Sequence, residues 1–296
     1  MSAEPIPVNV EAQRTCISCG GVRWATHFRV LQRCRDCGFI KAEMDLSPEQ
    51  VRRLYQEDYF QGEEYGDYLA DAVSHRKNFD ARLAVVRRLM GKNVGPVFEI
   101  GCAYGFWLEA CSRAGIEAAG VDVCVEPVRH ARMVMGQRAQ VGDFLALSLP
   151  KGFYNAFCMW DTIEHLANPE AFVAKAYDLL PPGGWLFITT GDIGSLYASW
   201  RGPRWRMIHP PTHLQYFSTA TMRQFLTRHG FQVMRCQSTP MYRNVGETLE
   251  RVARLGKGVS QPIAQVLRRY TPDWLKQCGF WLDLGDILYV AARKPL

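Results

Sequence analysis

The stretch "PVFEIGCAYGFWLEACSRAG", residues 96–115, decides the fold of this 296-residue chain. Its apolar run at 97–100 predicts a buried strand, and the apolar periodicity that begins at Phe106 predicts a helix. A short turn rich in small residues joins the two. The turn contains Glu99, Gly101, Ala103 and Gly105.

This turn differs from the dinucleotide-binding pattern Gly-x-Gly-x-x-Gly, because positions 103 and 106 are alanine and phenylalanine. It is similar instead to the acidic-x-Gly-x-Gly-x-Gly turn of enzymes that use S-adenosylmethionine (SAM), with Ala103 at the middle glycine. Glycine is required where the backbone passes close to a ligand or adopts a positive φ. The alanine at position 103 therefore predicts that the backbone there has an ordinary φ and that only a small side chain is required.

Further strand-like segments follow and alternate with helical ones. Strands are predicted at 117–123, 139–144, 155–161 and 183–190, and helices at 106–114, 126–135 and 169–179. This alternation predicts an α/β fold with a parallel, doubly wound sheet. Ligands bind such sheets at the carboxyl ends of the strands. Four acidic residues fall at those ends, namely Glu99, Asp122, Asp143 and Asp161.

Two of these carboxylates suit a nucleoside. An acidic residue at the tip of the second strand, here Asp122, can accept hydrogen bonds from both ribose hydroxyls. Asp143, after the third strand, could accept one from an adenine amino group.

The segments "FEIGCAYG", "GVDV", "GDF", "WDTIEHLANP" and "LLPPGGWLFITT" resemble, in order and spacing, the motifs of the class I SAM-dependent methyltransferases. The resemblance covers about residues 44–296 and is closest to a bacterial group related to the ubiquinone-biosynthesis O-methyltransferases. It implies a seven-stranded Rossmann-like sheet. The sixth and seventh strands are then expected at 231–236 and 286–295, with the seventh inserted antiparallel.

The same resemblance implies which residues bind SAM. Gly101 and Gly105 would line the methionine part, and Glu99 would hydrogen-bond the turn or the SAM amino group. Asp122 would hold the ribose, and residues 143–144 would flank the adenine. The full implied set is Glu99, Gly101, Ala103, Gly105, Asp122, Val123, Asp143, Phe144, Trp160, Asp161 and Tyr65.

A tyrosine-rich segment precedes the glycine turn. Residues 44–92 are expected to form a helical connector, and Tyr59, Tyr65 or Tyr68 would cover the cofactor if the resemblance holds. Tyrosine suits this role because it has an apolar body and a polar tip, although the sequence alone slightly favours core packing as the reason for the spacing.

The segment "MWDTIEHLANPEAF", residues 159–172, gathers Asp161, Glu164 and His165 where the fourth strand ends. A second cluster follows the fifth strand in "WRGPRWRMIHPPTHLQYFS", residues 200–218, and contains His213. Loops after strands carry function on a rigid scaffold. The catalytic candidates are therefore His165, His213 and Asp161.

Three hypotheses explain these clusters. In the first, His165 or His213 is a general base that removes a proton from a hydroxyl. In the second, Asp161 and Glu164 join both histidines in binding an active-site Mg²⁺, as a similar pattern in plant small-RNA 3′-end methyltransferases suggests. In the third, Glu164 and His165 cap the following helix, and His213 only packs in its loop.

The loop at 200–218 also bears on the substrate. Arg201, Arg204 and Arg206 could clamp a phosphate or carboxylate, or they could be solvated loop charges. No Asn/Asp-Pro-Pro-aromatic motif follows the fourth strand, and in the family this argues against an amide or adenine nitrogen as acceptor. The expected acceptor is a hydroxyl on a small or glycosylated biosynthetic intermediate. The alternatives are an RNA methyltransferase and a non-catalytic SAM-binding partner or regulator.

The first forty residues contain a metal-binding pattern. Cys16 and Cys19 form one Cys-x2-Cys turn, and Cys34 and Cys37 form another after fourteen residues. Four thiolates complete a closed tetrahedral zinc site, so the metal is expected to be structural and not catalytic. The ribbon could bind RNA or a protein partner.

The chain thus divides into a flexible tail (1–13), a zinc ribbon (14–43), the connector (44–92) and a SAM-dependent methyltransferase domain (93–296). Within that domain, residues 240–285 are expected to form a helical insertion. The insertion could be a homodimer arm, a lid or a substrate wall.

Composition narrows the function classes. The net charge is +6 with no long basic block, which disfavours nucleic acid as the substrate. No apolar run is long enough to cross a membrane, and the N-terminus lacks the apolar segment of a signal peptide. Ten cysteines without that signal favour metal binding and buried thiols over disulfides. A cytoplasmic enzyme with a small-molecule substrate is expected.

Overall fold

The computed structural model describes residues 15–28, 30–44, 50, 68–91, 93–255 and 260–296. The predicted tail and the tyrosines Tyr59 and Tyr65 lie outside the described residues.

In chain order the strands are β1 (Trp24–His27), β2 (Leu31–Cys34), β3 (Ile40–Ala42), β4 (Val97–Ile100), β5 (Ala118–Asp122), β6 (Ala139–Val141), β7 (Ala156–Trp160), β8 (Trp185–Gly191), β9 (Gln215–Tyr216), β10 (Gln232–Ser238), β11 (Met241–Asn244), β12 (Gly279–Leu282) and β13 (Ile287–Arg293).

Helices cover both faces of the main sheet. They are α1 (Ala72–Met90), α2 (Phe106–Arg113), α3 (Val125–Met133), α4 (Pro169–Leu179), α5 (Leu196–Arg201), α6 (Thr219–Arg228), α7 (Val245–Leu255), α8 (Ser260–Tyr270) and α9 (Asp273–Lys276). Among these described helices, none combines the length and the apolar character that a membrane crossing requires.

The main sheet has seven strands in the order β6-β5-β4-β7-β8-β13-β10. Strands β4 to β8 run parallel, and β13 pairs antiparallel with both β8 and β10. The predicted seven-stranded, doubly wound α/β fold with one antiparallel insertion is therefore confirmed. Every residue of β7 and β8 is buried, as expected for parallel strands covered on both faces.

A smaller sheet joins the cysteine-rich segment to the rest of the fold. Its order is β1-β2-β3-β9, so its fourth strand comes from the region after the main sheet's fifth strand. Lys41 of β3 pairs with Gln215 of β9, and the amide of Ala42 donates to the carbonyl of Leu214 at 2.8 Å. The ribbon is consequently built into the structure rather than tethered to it.

Further contacts fix the ribbon against α6. The Ser18 hydroxyl donates to the carbonyl of Thr221 at 3.0 Å, and Arg228 donates to the carbonyls of Cys16 and Ile17 at 3.2 and 2.9 Å. Cys16 is fully buried and belongs to the main hydrophobic core.

The insertion at 240–285 contains α7, α8 and α9, framed by β11 and β12, which pair antiparallel. These strands are an addition to the helices expected from the sequence. Asn78 of α1 holds β11 in place, because its amide oxygen accepts from the Tyr242 amide at 2.7 Å and its amide nitrogen donates to the Tyr242 carbonyl at 3.2 Å.

Candidate active site

The glycine turn lies at the carboxyl end of β4 and needs its small residues for two reasons. Gly101 and Gly105 have φ of 79° and 80°, in the left-handed region that glycine tolerates. A Cβ at Gly101 would also lie 2.6 Å from the Thr162 hydroxyl oxygen. Because glycine has no Cβ, the backbone of the turn can pack closely against Thr162.

Ala103 departs from the prediction. Its φ is 41°, so the expectation of an ordinary φ at this position is wrong. The amide of Ala103 donates to Asp122 Oδ2 at 2.8 Å. A charge-assisted hydrogen bond of this kind offsets the roughly 1–2 kcal/mol that the left-handed conformation costs an L-residue.

Asp122 ends β5 and organises the turn. Its carboxylate accepts from the Ala103 amide and, at 2.9 Å, from the Cys124 amide. Burial raises its pKa, while these amide hydrogen bonds act in the opposite direction. Each carboxylate oxygen can accept more than one hydrogen bond, so the two contacts leave capacity for ligand hydroxyls.

Glu99 is a buried carboxyl group at the same edge. It is 2 % exposed, and its Oε2 atom has no hydrogen-bond partner within the described residues. Burial and the nearby Asp122 raise its pKa well above the usual value. A buried oxygen without a partner calls for a donor, and a ligand amino group would serve.

The segment predicted to flank the adenine has a mixed outcome. Asp143 Oδ1 accepts from the Leu145 amide at 2.9 Å. The ring of Phe144 is buried and packs near Phe98 and Phe157. The ring of Phe144 is therefore part of the core, and its carbonyl accepts from Lys175 Nζ at 2.8 Å. Val123, directly after β5, is 42 % exposed.

An aromatic stack covers the glycine turn. The Tyr68 ring lies 5.3 Å from the Tyr104 ring and 3.9 Å from the His75 ring, measured between centroids. Burial raises the pKa of Tyr68, and the carboxylates of Glu99 and Asp161 raise it further. Tyr68 therefore lies among the acidic residues of the strand ends, where a cofactor cover was expected.

Asp161 is engaged by an arginine that the sequence analysis missed. Its Oδ2 accepts from Arg82 Nη2 at 2.8 Å, and its Oδ1 accepts from the Thr189 hydroxyl at 2.9 Å. Burial alone would raise the pKa of Asp161, but Arg82 and Thr189 bring it below the usual value. A carboxylate stabilised in this way is a weak base, which argues against Asp161 as the proton acceptor.

A signal for Arg82 was present in the sequence. It lies on the apolar face of α1 with Phe79, Leu83 and Val86, and it is 6 % exposed. A charge on the core-facing side of a helix requires a partner, and here the partner is Asp161.

Glu164, His165 and His213 form a second cluster beside Asp161. One ligand atom from each lies within 4.8 Å of the others, and all three side chains are buried. The turn at Ile163–His165 supplies two of them, and the loop before β9 supplies the third. The metal-site hypothesis places these three residues together with Asp161; the structure brings the three together, and Asp161 is not in the group.

Backbone carbonyls orient both imidazoles. His165 Nδ1 lies 2.8 Å from the Thr212 carbonyl oxygen, and His213 Nδ1 lies 2.9 Å from that of Met207. A carbonyl oxygen only accepts, so each Nδ1 carries the proton and each Nε2 presents its lone pair. This arrangement suits either a base or a metal ligand.

The cluster's electrostatics follow from burial. Burial lowers the pKa of His213, and His165 and His209 lower it further. Burial and Asp161 raise the pKa of Glu164 to about 8. Neither Glu164 oxygen has a well-formed hydrogen bond within the described part of the chain, although the Thr190 hydroxyl favours its charged form.

Glu164 and His165 do not cap the following helix. Asn168 is the N-cap of α4, and its side-chain oxygen accepts from the Ala171 amide at 3.1 Å. The capping hypothesis is therefore wrong, and the two buried side chains need another explanation.

The four cysteines of the ribbon converge as expected. Cys16 Sγ lies 3.6 Å from Cys37 Sγ, and Cys19 Sγ lies 3.6 Å from Cys34 Sγ. All four sulfur atoms lie within 4.8 Å of one another. Tetrahedral zinc–thiolate bonds of about 2.3 Å place sulfurs about 3.8 Å apart, so the four residues fit a zinc ion.

Hydrogen bonds connect the ribbon to the histidine cluster. The Leu214 carbonyl accepts from Ala42 of β3, and the Leu214 amide donates to the Glu164 carbonyl, both at 2.8 Å. The Tyr216 hydroxyl of β9 donates to the His213 carbonyl at 2.9 Å. The backbone around His213 is thus held between the ribbon and the turn that contains Glu164.

The arginines of the 200–218 loop separate into two kinds. Arg206 is paired with the buried carboxylate of Asp286, which also accepts from Trp205 Nε1 at 2.8 Å. Arg201 and Arg204 are exposed. Neither Arg201 nor Arg204 has a carboxylate partner among the described residues.

Comparisons with known proteins agree with this geometry. A family model described as a methyltransferase domain matches residues 74–235, which is more than half of the chain. A ubiquinone biosynthesis O-methyltransferase of Xanthomonas campestris is 33% identical over 101 residues, covering 32% of this chain and 42% of that protein. One of Bordetella avium is 27% identical over 116 residues, covering 37% and 48%. The chain thus spans less than half the length of these relatives.

The fold also has a counterpart among solved structures. A SAM-dependent methyltransferase from Archaeoglobus fulgidus superposes with a TM-score of 0.51 at 21% identity, covering 77% of this chain and 99% of that one. At this identity the likeness concerns the fold. With the family match and the sheet order, it follows that the chain belongs to the class I SAM-dependent methyltransferases.

Proposed function

We propose that this class I methyltransferase transfers the SAM methyl group to a hydroxyl oxygen of a small or glycosylated biosynthetic molecule. The observation that carries the proposal is the buried Glu164, His165 and His213 cluster at the carboxyl edge of β7. A hydroxyl becomes a good nucleophile only when its proton is removed, and this cluster is suited to that task. Relatives that share the domain are ubiquinone biosynthesis O-methyltransferases.

SAM supplies an electrophilic methyl group when it is bound. Asp122 would hold the ribose, Glu99 would accept from the amino group, and the backbone at Gly101 and Gly105 would approach the methionine part. Tyr68 and its stack would exclude water from above. These residues position the two reactants, and positioning for in-line attack contributes much of the rate enhancement.

The proton would pass to an imidazole of the cluster. The Thr212 and Met207 carbonyls hold the Nδ1 atoms of His165 and His213, so Nε2 is the atom of each ring that would accept the proton. Burial lowers the pKa of His213, which leaves its ring neutral but weakly basic. Asp161 would contribute by holding Arg82 beside the acceptor rather than by taking the proton.

A bound cation is the alternative way to activate the hydroxyl. Glu164, His165 and His213 supply two imidazole nitrogens and one carboxylate, and no described residue adds a further carboxylate, because Arg82 engages Asp161. Such a donor set suits Zn²⁺, Mn²⁺ or Fe²⁺ better than Mg²⁺, which prefers oxygen ligands. We therefore do not retain Mg²⁺ as the favoured ion.

The function is tested by incubating the protein with methyl-labelled SAM and an extract of the source organism. We expect label in the small-molecule fraction, where the product can then be identified. Label in RNA would instead make the chain an RNA methyltransferase, with binding that weakens steeply as salt rises. Absence of label from every fraction, with SAM still bound, would favour a non-catalytic partner or regulator.

His213→Ala is expected to lower kcat by about 10²–10⁴-fold, because it removes a group that accepts the proton or holds the metal. The Kd for S-adenosylhomocysteine should stay unchanged. The measurement is the initial rate of label transfer to the identified acceptor. His229→Ala is the matched control, since His229 is the C-cap of α6 and its Nδ1 lies 2.8 Å from the Phe225 carbonyl oxygen.

Chelation separates the two forms of this mechanism. Activity that survives dialysis against a chelator would assign the histidine base. Activity that is lost and then restored by Mn²⁺ or Zn²⁺ would assign the metal. Full activity of His213→Ala under both conditions would contradict a catalytic role for the cluster.

A further inference from the structure

Arg243 lies on β11, at the edge of the candidate active site. Asn78 fixes β11 against α1 through both the amide and the carbonyl of Tyr242. Since side chains alternate along a strand, Met241 and Arg243 share one face and Tyr242 points to the other. The position of Met241 therefore indicates where Arg243 faces.

Met241 faces the acidic edge of the main sheet. Its sulfur lies 3.8 Å from Arg82 Nη2, and the same nitrogen donates to Asp161 Oδ2 at 2.8 Å. Arg243, two residues further along the same face, lies within electrostatic range of Asp161 and Arg206. It thus lies near Asp161 at the end of β7 and near Arg206 of the 200–218 loop.

The guanidinium of Arg243 makes no hydrogen bond or ion pair with any described residue. Three carboxylates act on Arg243 from a distance, those of Glu247, Asp71 and Asp161, and two of them are engaged by other residues. Asp161 is paired with Arg82, and Glu247 accepts from the Ser74 hydroxyl at 2.7 Å and from the Asn244 side chain. Burial and Arg206 lower the pKa of Arg243.

Leaving an arginine partly desolvated and without an anion is costly, and protein interiors normally supply a partner. The same positive charge acts on neighbouring groups. Burial lowers the pKa of His75 to about 3, and Arg243 and Arg82 contribute to that shift. Arg243 therefore acts on its surroundings as a charge that no ion pair within the described residues neutralises directly.

We propose that Arg243 binds an oxyanion, a carboxylate or a phosphate, carried by the methyl acceptor. The inference rests on the proposed function and names its substrate class. A planar guanidinium binds either group through two parallel hydrogen bonds, which would orient the acceptor as well as hold it. The anion that the sequence analysis assigns to Arg201, Arg204 and Arg206 would thus be bound by Arg243 on β11 instead.

The test uses three probes of similar size on the full chain loaded with S-adenosylhomocysteine. They are benzoate, phenyl phosphate and the neutral phenol, each titrated by calorimetry. We expect one of the two anions to bind at least about tenfold more tightly than phenol, as one charge-assisted pair implies. The anion that binds more tightly identifies the group as carboxylate or phosphate.

Variants assign the preference to Arg243. Arg243→Met should remove it, Arg243→Lys should keep part of it, and Arg204→Met, on the exposed loop, should keep all of it. Phenol binding as tightly as both anions, no measurable anion binding, or a preference that survives in Arg243→Met would each overturn the inference.

Titration with S-adenosylhomocysteine comes first for every protein. A normal Kd in Arg243→Met shows that the variant is folded and its cofactor site is intact. Failure of the wild-type chain to bind S-adenosylhomocysteine would overturn the proposed function itself. Normal binding without anion preference would overturn only the role of Arg243.

Discussion

Replacing Asp122 with alanine is expected to weaken SAM binding by at least about 100-fold, because it removes charge-assisted hydrogen bonds worth about 1.5–3 kcal/mol each. The variant would no longer accept hydrogen bonds from the ribose hydroxyls. It would also release the Ala103 amide, which the Asp122 carboxylate holds at 2.8 Å in a left-handed conformation. The turn would then relax away from the geometry that approaches the ligand.

Calorimetric titration with SAM measures the effect, and circular dichroism establishes that the variant is folded. The matched control is Asp178→Ala, which removes an exposed carboxylate paired with Lys151. Unchanged SAM affinity in Asp122→Ala would refute the cofactor site at the ends of β4 and β5.

The second large effect is expected for Cys16→Ser. The variant should lose its zinc and much of the ribbon's stability, because apparent free energies of about 10–16 kcal/mol accompany structural zinc binding in small domains. The loss should extend to the active site. Without a formed β3, the Leu214 carbonyl loses its donor Ala42, which is one of the hydrogen bonds that hold the backbone next to His213.

Three measurements follow this chain of effects. Elemental analysis reports zinc per chain, thermal unfolding reports stability, and amide hydrogen exchange at Leu214 reports the link to Glu164. Cys278→Ser is the control, since Cys278 is exposed and lies outside the cysteine cluster. Retained zinc in Cys16→Ser would count against the site, and unchanged exchange at Leu214 would show that the ribbon does not support the cluster.

The main sheet could be predicted from the sequence because its signals are local. The apolar run at 97–100 and the helix at 169–179 have the bounds that the structure shows. Parallel strands buried on both faces produce near-continuous apolar runs that are visible without any partner.

The errors concern contacts between distant segments. The φ of Ala103 depends on a carboxylate nineteen residues later, and residue type alone favoured the wrong conformation. The sequence shows Asp161 near Glu164 and so groups it with the metal or base cluster, whereas in the structure it lies outside the group of Glu164, His165 and His213. Its actual partner, Arg82, lies on a helix that precedes the sheet.

The candidate site could be predicted only where its signals are local. The short spacing of Glu164 and His165 and the expected loop after the fifth strand brought His213 to them correctly. No local pattern indicates that β11 crosses α1 or that it places Arg243 near Asp161. The Asn78 contacts to Tyr242 and the contact of Met241 with Arg82 reveal that placement.

The pairing of β3 with β9 has a consequence for biosynthesis. The ribbon leaves the ribosome before the strand that completes its sheet, which begins at Gln215, about 170 residues after β3 ends at Ala42. At about 5–20 residues per second, the edge of β3 stays open for roughly 10–35 s after its synthesis. An open strand edge is a template for pairing with other chains. Zinc captured early would keep the nascent ribbon folded, so zinc supply during translation should govern how much of the protein reaches its native state.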